Sequence, residues 1–552
     1  MQNKDLEAEI HPLKRDDEKT QENCESAGNN GVLCKKKSGL YQLSKMRTAA
    51  FFIALFLCLA MVFAFSFIIP CPIRPVSDTA WIRQYNNAVT YKFLAVEDVN
   101  EDKVQDLIFV FRASNGSSSS NRSCSDEGFS SPCAFVAALS GTNNSVLWEE
   151  AVTEDIMFIE CGIKTLGGKH FPGCLVIGKE NILIALDSHT GKTLWKKPSH
   201  FGVYSSVMSP LLSVPDVDGD GIQDILIFTT NQDKIQGYFY SGGNGDIIGQ
   251  NGSLTLDGKS GYLLHVTKSG SYYLLFYKGS SIDGYALENL YTSATGIPTK
   301  PKTLKQDPEW EKKVNSAGYV PIPISSPEDI RYLVKVPGEA SDNLLVVTSN
   351  VSQLLDGQSF HTLWTINTNN VLSEPTLGYY KRKALSIIIE TDAENNRKKV
   401  IILSADSGEV QWETELDSEQ QNPKPAVLHT VNDRSIFLFW GNSQTSSNET
   451  GLSSSQNLYI FYSLHPGFLL HLNSTQNIVA FEAVLFEHGR HAGYILLTGP
   501  LASEVPGTVA VSKQKLKEDI TNSRVIRLGQ EDSYGDQEIR GIFSRVKYSS
   551  DV

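Results

Sequence analysis

A basic surface is what this sequence lacks first. Over 552 residues, 49 Lys and Arg stand against 62 Asp and Glu, a formal net charge of −13. That balance argues against nucleic acid as a partner, because phosphates need cations to neutralise them. Catalytic signatures are missing as well. There is no G-x-S-x-G, no H-E-x-x-H and no G-x-G-x-x-G, the patterns that supply a nucleophile elbow, a zinc site or a dinucleotide-binding turn. Gly191-Lys192-Thr193 has the look of a phosphate-loop ending, but such a loop needs glycine where Leu186 stands. His488 and His491 have no accompanying His-Glu motif. Cysteine is sparse, eight in all, at spacings that fit no zinc site. With 42 Gly and 22 Pro the chain is neither collagenous nor low-complexity. Hydrophobic residues make up 41% and aromatics 10%, enough to bury a core and to exclude wholesale disorder.

What is present begins with one apolar run. Thr48 to Ile69 is 22 residues without a charge, and about 20 apolar residues span a bilayer as a helix. A cleaved signal peptide would be shorter and closer to the start. Lys35, Lys36, Lys37, Lys45 and Arg47 precede the run, and only Arg74 follows it closely. Positive charge stays on the cytoplasmic side, so the chain is expected to be a type II protein with residues 48–69 in the lipid bilayer. Residues 1–47, polar and poor in aromatics, read as a disordered cytoplasmic tail. Residues 70–80 form a juxtamembrane linker opened by Pro70 and Pro72, and 81–550 lie outside.

Two further patterns agree with this division. N-x-[ST] acceptors occur at Asn115, Asn121, Asn143, Asn251, Asn350, Asn448 and Asn473, all after the run. Cys124, Cys133, Cys161 and Cys174 lie on the same side, where disulfides persist. They form two close pairs, and Cys124–Cys133 with Cys161–Cys174 is the favoured one of three possible pairings. Cys71 is left over. It is a candidate for a cross-link in a homodimer, for acylation, or for a free thiol.

The outer part repeats. Ala137–Trp148, Ala185–Trp195, Leu354–Trp364 and Leu403–Trp412 each read as a short apolar strand, a tight turn and a strand closing on Trp. Weaker copies lie at Phe239–Gly249, Ser281–Leu287, Ile460–Leu472 and Thr508–Leu516. A hairpin precedes each copy. Its outgoing strands are 107–111, 174–177, 225–228, 272–276, 344–347, 385–389, 436–439 and 494–497. Two hairpins make one four-stranded sheet, so the fold class is all-β. The expected architecture is a β-propeller of eight such blades, with seven as the alternative count. An open solenoid would need polar caps, which the sequence does not offer.

Two hairpin loops carry chemistry, Asp98–Asp106 and Asp216–Asp224. Side-chain oxygens fall at positions 1, 3, 5 and 9: Asp98, Asn100, Asp102 and Asp106 in the first, Asp216, Asp218, Asp220 and Asp224 in the second. Val104 and Ile222 stand at position 7, where a backbone carbonyl contributes. Calcium takes about 6–8 such hard oxygens, and crowded carboxylates repel without a cation. The expected cofactor is therefore a structural Ca2+, with the bland alternative an Asp-rich turn. An EF-hand would need Glu at position 12, where Phe109 and Ile227 stand. The motif resembles instead the FG-GAP loop of integrin α-subunit propellers. The first loop has Lys103 in place of the glycine at position 6, and the loop at Val336–Val347 keeps the frame without the ligands.

The whole layout resembles the "family with sequence similarity 234" single-pass membrane proteins, member A type, also described as integrin α FG-GAP repeat-containing proteins. The residues behind the resemblance are Leu6–Lys14, Ile68–Pro72, Asp126–Cys133, Pro215–Gly221 and Arg490–Pro500. It implies a type II glycoprotein at the cell surface and little mechanism. Three functions compete. The favoured one is a non-enzymatic, adhesion-like or receptor-like module that offers a propeller face to a protein partner. The second is an accessory subunit or chaperone of another membrane protein. The third is a quinoprotein-like enzyme, since Ala185–Trp195 resembles the repeats of such dehydrogenases, but no cofactor-contacting residues accompany it.

Overall fold

The computed structural model describes residues 45–68, 80–117, 122–202, 204–231, 234–249, 252–257, 261–297, 301–418, 422–442, 455–487, 492–529 and 534–549. Residues 1–44, the linker at 69–79 with Cys71, and Asn121, Asn251, Asn448, His488 and His491 lie outside the described residues. The chain divides into two compact units, Met1–Ile73 and Arg74–Val552.

In the first unit one helix, α1, spans Lys45–Ile68. Its side chains are described for 48–63, and Phe51, Phe56 and Val62 among them are exposed. Among the described residues no helix is long and apolar enough to cross a membrane.

The second unit is built of antiparallel sheets in propeller-like order. It opens with β1 (Trp81–Glu97), β2 (Asp106–Ala113), β3 (Cys133–Leu139) and β4 (Val146–Thr153). Four-stranded sheets follow in sequence, each pairing every strand with the next. They begin at Ile156–Ile163, Leu212–Val214, Gly261–Val266, Ile330–Val336, Thr376–Lys381 and Ala426–His429. Ser206–Val207 adds to the second of these, and Arg524–Arg527 adds a fifth strand to the last. The final three strands, Ile478–Leu485, Ala492–Thr498 and Gly507–Lys515, complete their sheet with the start of the chain. Trp81 pairs with Lys513 and Ala88 with Gly507, whereas Val89 onward pairs with β2. One strand thus serves two sheets.

All eight apolar runs named from the sequence lie in the second strand of a sheet. They are continuous because sheet packs on sheet at both faces. Leu107 to Phe111 is fully buried, as is Ile436 to Phe439. Each such side chain contributes roughly 1.5–3 kcal/mol of transfer free energy. Two of the weaker repeat copies turn out differently. Strand Ser281–Ala286 runs directly into helix Leu287–Thr295, and the fourth strand comes only at Val320–Ile322. Strand Gly507–Lys515 runs into helix Leu516–Asn522, and its partner is residues 81–88. In both cases the residues after the third strand have helical rather than turn chemistry.

The tryptophan repeat is a joint between sheets. The indole N–H of Trp148 donates to the Ser188 carbonyl at 2.8 Å, and that of Trp364 to the Ala405 carbonyl at 2.7 Å. Trp195 and Trp412 reach Gly242 and Pro466 in the same way. Each acceptor lies in the turn of the following sheet. For Trp148, Trp195 and Trp364 that turn also lays a glycine on the ring: a Cβ on Gly191 would lie 2.6 Å from Trp148, one on Gly408 (φ 71°) 2.7 Å from Trp364, and one on Gly245 (φ 76°) 2.3 Å from Trp195. Both disulfides form, Cys124–Cys133 and Cys161–Cys174.

Candidate metal centre

Both Asp-rich loops join the first and second strands of a sheet, and their backbones follow the same path. Positions 4 and 6 are left-handed in each: Gly219 (φ 87°) and Gly221 (φ 86°) in one, Glu101 (φ 60°) and Lys103 (φ 69°) in the other. Glycine takes this region without cost. Lys103 takes it too, so the missing glycine has not changed the loop.

Side chains hold that path through its N–H groups. Asp216 accepts from Gly219 at 2.6 Å and Gly221 at 2.9 Å; Asp218 accepts from Asp220 at 3.0 Å and Asp220 from Ile222 at 2.7 Å. In the first loop Asp98 accepts from Lys103 at 3.0 Å, Asn100 from Asp102 at 3.0 Å and Asp102 from Val104 at 2.8 Å. The ninth position closes the loop from below. Asp224 accepts from Val217, Asp218 and Gly242, and Asp106 from Val99, Asn100 and Gly141.

The partner glycine belongs to the third-strand turn of the same sheet. A Cβ on Gly141 would lie 1.9 Å from the Gln105 carbonyl oxygen, and one on Gly242 2.0 Å from that of Gln223. The ligand-poor loop at Val336–Val347 repeats the frame. Asn343 accepts from Gly357 N at 3.4 Å, and a Cβ on Gly357 would lie 1.8 Å from the Asp342 carbonyl oxygen. The ninth-position residue is therefore a frame element first, and the carboxylates at positions 1, 3 and 5 are what the third loop has lost.

Asp216, Asp218 and Asp224 bring carboxylate oxygens within 4.8 Å of one another, one such group among the described residues. Asp220 turns partly away, with Oδ2 accepting from Ser241 at 3.3 Å. In the first loop Asn100 Nδ2 donates to Asp102 Oδ2 at 3.2 Å. Asp98 Oδ1 is buried there without a hydrogen-bond partner. Burial pushes Asp106 up to about 7 and Asp224 up to about 6 against the backbone N–H bonds that oppose it. Asp98 is raised for the same reason. Converging hard oxygens, an orphaned carboxylate oxygen and ligands reluctant to ionise alone fit a divalent cation, whose charge would favour the ionised forms. Calcium would be held by Asp216, Asp218, Asp220, Asp224 and the Ile222 carbonyl in one loop. Asp98, Asn100, Asp102, Asp106 and the Val104 carbonyl would hold it in the other.

The described acceptor sites are spread over the same unit. Asn115 follows β2, Asn143 lies in the β3–β4 turn and Asn350 in the turn before Val351–Leu355; all three are exposed. Asn350 Nδ2 donates to Glu328 at 2.6 Å. Asn473 is half-buried within strand Phe468–Thr475. One residue escaped sequence reasoning. Trp81 occupies the place of the repeat tryptophans, at the start of a fourth strand, with its Nε1 3.5 Å from the Gly141 carbonyl oxygen. Its third strand lies over 400 residues away, so no local repeat pattern exposes it.

Residues 81–549 match a family model described as "FAM234A/B beta-propeller". Protein FAM234A of Mus musculus is 44% identical over 559 residues, covering all of both chains. Protein FAM234B of Gallus gallus is 31% identical over 526 residues, 91% of this chain and 83% of that one. Among solved structures, the WD40 domain of SCAP from fission yeast aligns over 78% of this chain and 98% of its own, with 9% identity and a TM-score of 0.41. With most of its length matched by the family model and its whole length by a relative, the chain belongs to the FAM234A/B β-propeller family.

Proposed function

We propose that the protein is a single-pass type II membrane glycoprotein at the cell surface. Its ectodomain is a calcium-stabilised, eight-bladed propeller with FG-GAP-like loops. It acts as a non-enzymatic binding module, offering one propeller face to a protein partner. The observation that carries the cation part is the shared geometry of the two loops, above all the convergence of Asp216, Asp218 and Asp224. Counting β1 twice, once in each sheet it serves, supports the count of eight. The membrane part rests on the uncharged run at 48–69, its basic flank and the acceptor sites that all follow it.

The role is tested by cross-linking the full-length protein on intact cells and identifying what is captured. A partner that is soluble or on an apposed cell supports the binding module. Capture of a single membrane protein from the same bilayer, whose surface level falls when this chain is removed, would replace it with the accessory-subunit reading. Glycosidase treatment of intact cells should shift the mobility of the protein, whereas no shift would contradict the orientation. On non-reducing gels a dimer that is lost in Cys71→Ser would assign Cys71 to a homodimer.

A further inference from the structure

We propose that the first loop, Asp98–Asp106, is the latch of the ring seam, and that Lys513 fastens it. The seam is where the last sheet takes residues 81–88 as its fourth strand, from the other end of the chain. Within that sheet nothing covalent ties residues 81–88 to strand Gly507–Lys515, so non-covalent bonds carry the closure.

The joint differs from its siblings at one position. At the four repeat tryptophans, the residue opposite Trp on the third strand is apolar: Ala138, Ala185, Leu354 and Ile402. Opposite Trp81 it is Lys513, 1% exposed. Burying a lysine costs stability unless its head is paired. Its Nζ donates to the Gly141 carbonyl at 2.6 Å and sits 4.2 Å from the centre of the Phe486 ring. Gly141 N in turn donates to Asp106 Oδ1 at 2.8 Å. One residue, Gly141, therefore links Lys513 of the last sheet to the ninth-position carboxylate of the first loop.

Further bonds join the same two sheets. Gln105 N, inside the loop, donates to the Phe486 carbonyl at 3.0 Å. Arg83 donates to the Asn144 carbonyl at 3.0 Å, and Asn144 Nδ2 to the Ile82 carbonyl at 3.3 Å. The second loop sits at no such seam, since the sheet before its own, begun at Ile156–Ile163, is built wholly of consecutive strands. Order in the first loop, including the order a bound cation would impose, is thereby order in the closing strand. The calcium arm of this inference rests on the cation reading above; the latch itself does not.

The test is backbone hydrogen exchange on the full-length protein in detergent, wild type against Lys513→Met, with calcium and with chelator. With chelator, the substitution should speed exchange at 81–88 about tenfold, the effect of losing one charge-assisted bond, and leave 224–231 unchanged. With calcium, wild type should gain protection at both 98–106 and 81–88. Lys513→Met should gain it at 98–106 alone. Trp81→Phe, which keeps a ring and removes the N–H donor, should give the same pattern to a smaller degree. This variant decides the matter if Lys513→Met does not fold. Unchanged exchange at 81–88 in the folded variants would overturn the latch, as would equal calcium protection there with and without Lys513. If calcium protects neither loop, the cation reading fails and the chelator comparison still decides the latch.

Discussion

At Gly408 the whole side chain that could exist is a clash with the neighbouring sheet. A Cβ there would lie 2.7 Å from the Trp364 ring, at a φ of 71°. Gly408→Ala should therefore destabilise the fold by about 2 kcal/mol or more in urea unfolding. Gly270→Ala, at a φ of 76° with open space around it, should cost only the backbone term of about 1–2 kcal/mol. Equal losses would show that the Trp364 contact adds nothing. His265 offers a pH test. It is fully buried and stacked on Trp310, and burial holds it down to about 4. Its folded value lies below its unfolded one, so its contribution is fully present above about 6.5 and drains away as pH falls toward 4. The whole amount is on the order of 3 kcal/mol. The raised carboxyls of Asp106 and Asp224 act oppositely in chelator, since the folded chain takes up their protons first. The difference between wild type and His265→Phe isolates the histidine. That difference should shift in favour of the variant between pH 6.5 and 4, and a difference independent of pH would contradict the assignment.

Between elements, the strands Ala384–Ala393 and Arg397–Ser404 bury a complete ion pair. Lys398 Nζ meets Glu390 Oε1 at 2.5 Å, with the side chains 1% and 3% exposed, and Ser373 donates to Glu390 Oε2 at 2.9 Å. Lys398→Met should destabilise by about 3–5 kcal/mol, because it strands a buried carboxylate. Adding Glu390→Leu should recover most of that loss in thermal unfolding; no recovery would mean that the pair matters for its hydrogen bonds and not its charge. Most of the element pattern was legible in sequence. The second strands are buried on both faces, so they read as uninterrupted apolar runs, and the turns before Trp148, Trp195, Trp364 and Trp412 repeat a visible motif. What was hidden had a physical cause. The insertion of helix Leu287–Thr295 separates a third strand from its fourth at Val320–Ile322, and local patterning cannot bridge it. The Asp spacing was legible as a loop frame, whereas the Gly141 and Gly242 partners of its ninth position come from a turn over 15 residues later.

Over the whole molecule, the strand Trp81–Glu97 does two jobs, closing the last sheet and opening the first. Removing residues 1–79 should leave the propeller folded, whereas removal through Ala88 should abolish cooperative unfolding, because the last sheet loses its fourth strand and its Trp81 joint. Retained cooperativity in the longer deletion would contradict ring closure by that strand. The two Asp-rich loops act at the same scale, since each ties a first hairpin to the third-strand turn of its sheet. The most direct measurement is thermal unfolding of the full-length protein with calcium and with chelator, for wild type, Asp218→Ala and Asn100→Ala. Calcium at 100 times its dissociation constant adds about 2.7 kcal/mol per site. The account predicts a calcium-dependent rise in Tm for wild type, a reduced rise in each variant, and the larger reduction in Asp218→Ala. A Tm indifferent to calcium in all three proteins would reduce both loops to Asp-rich turns and remove the cation from the account.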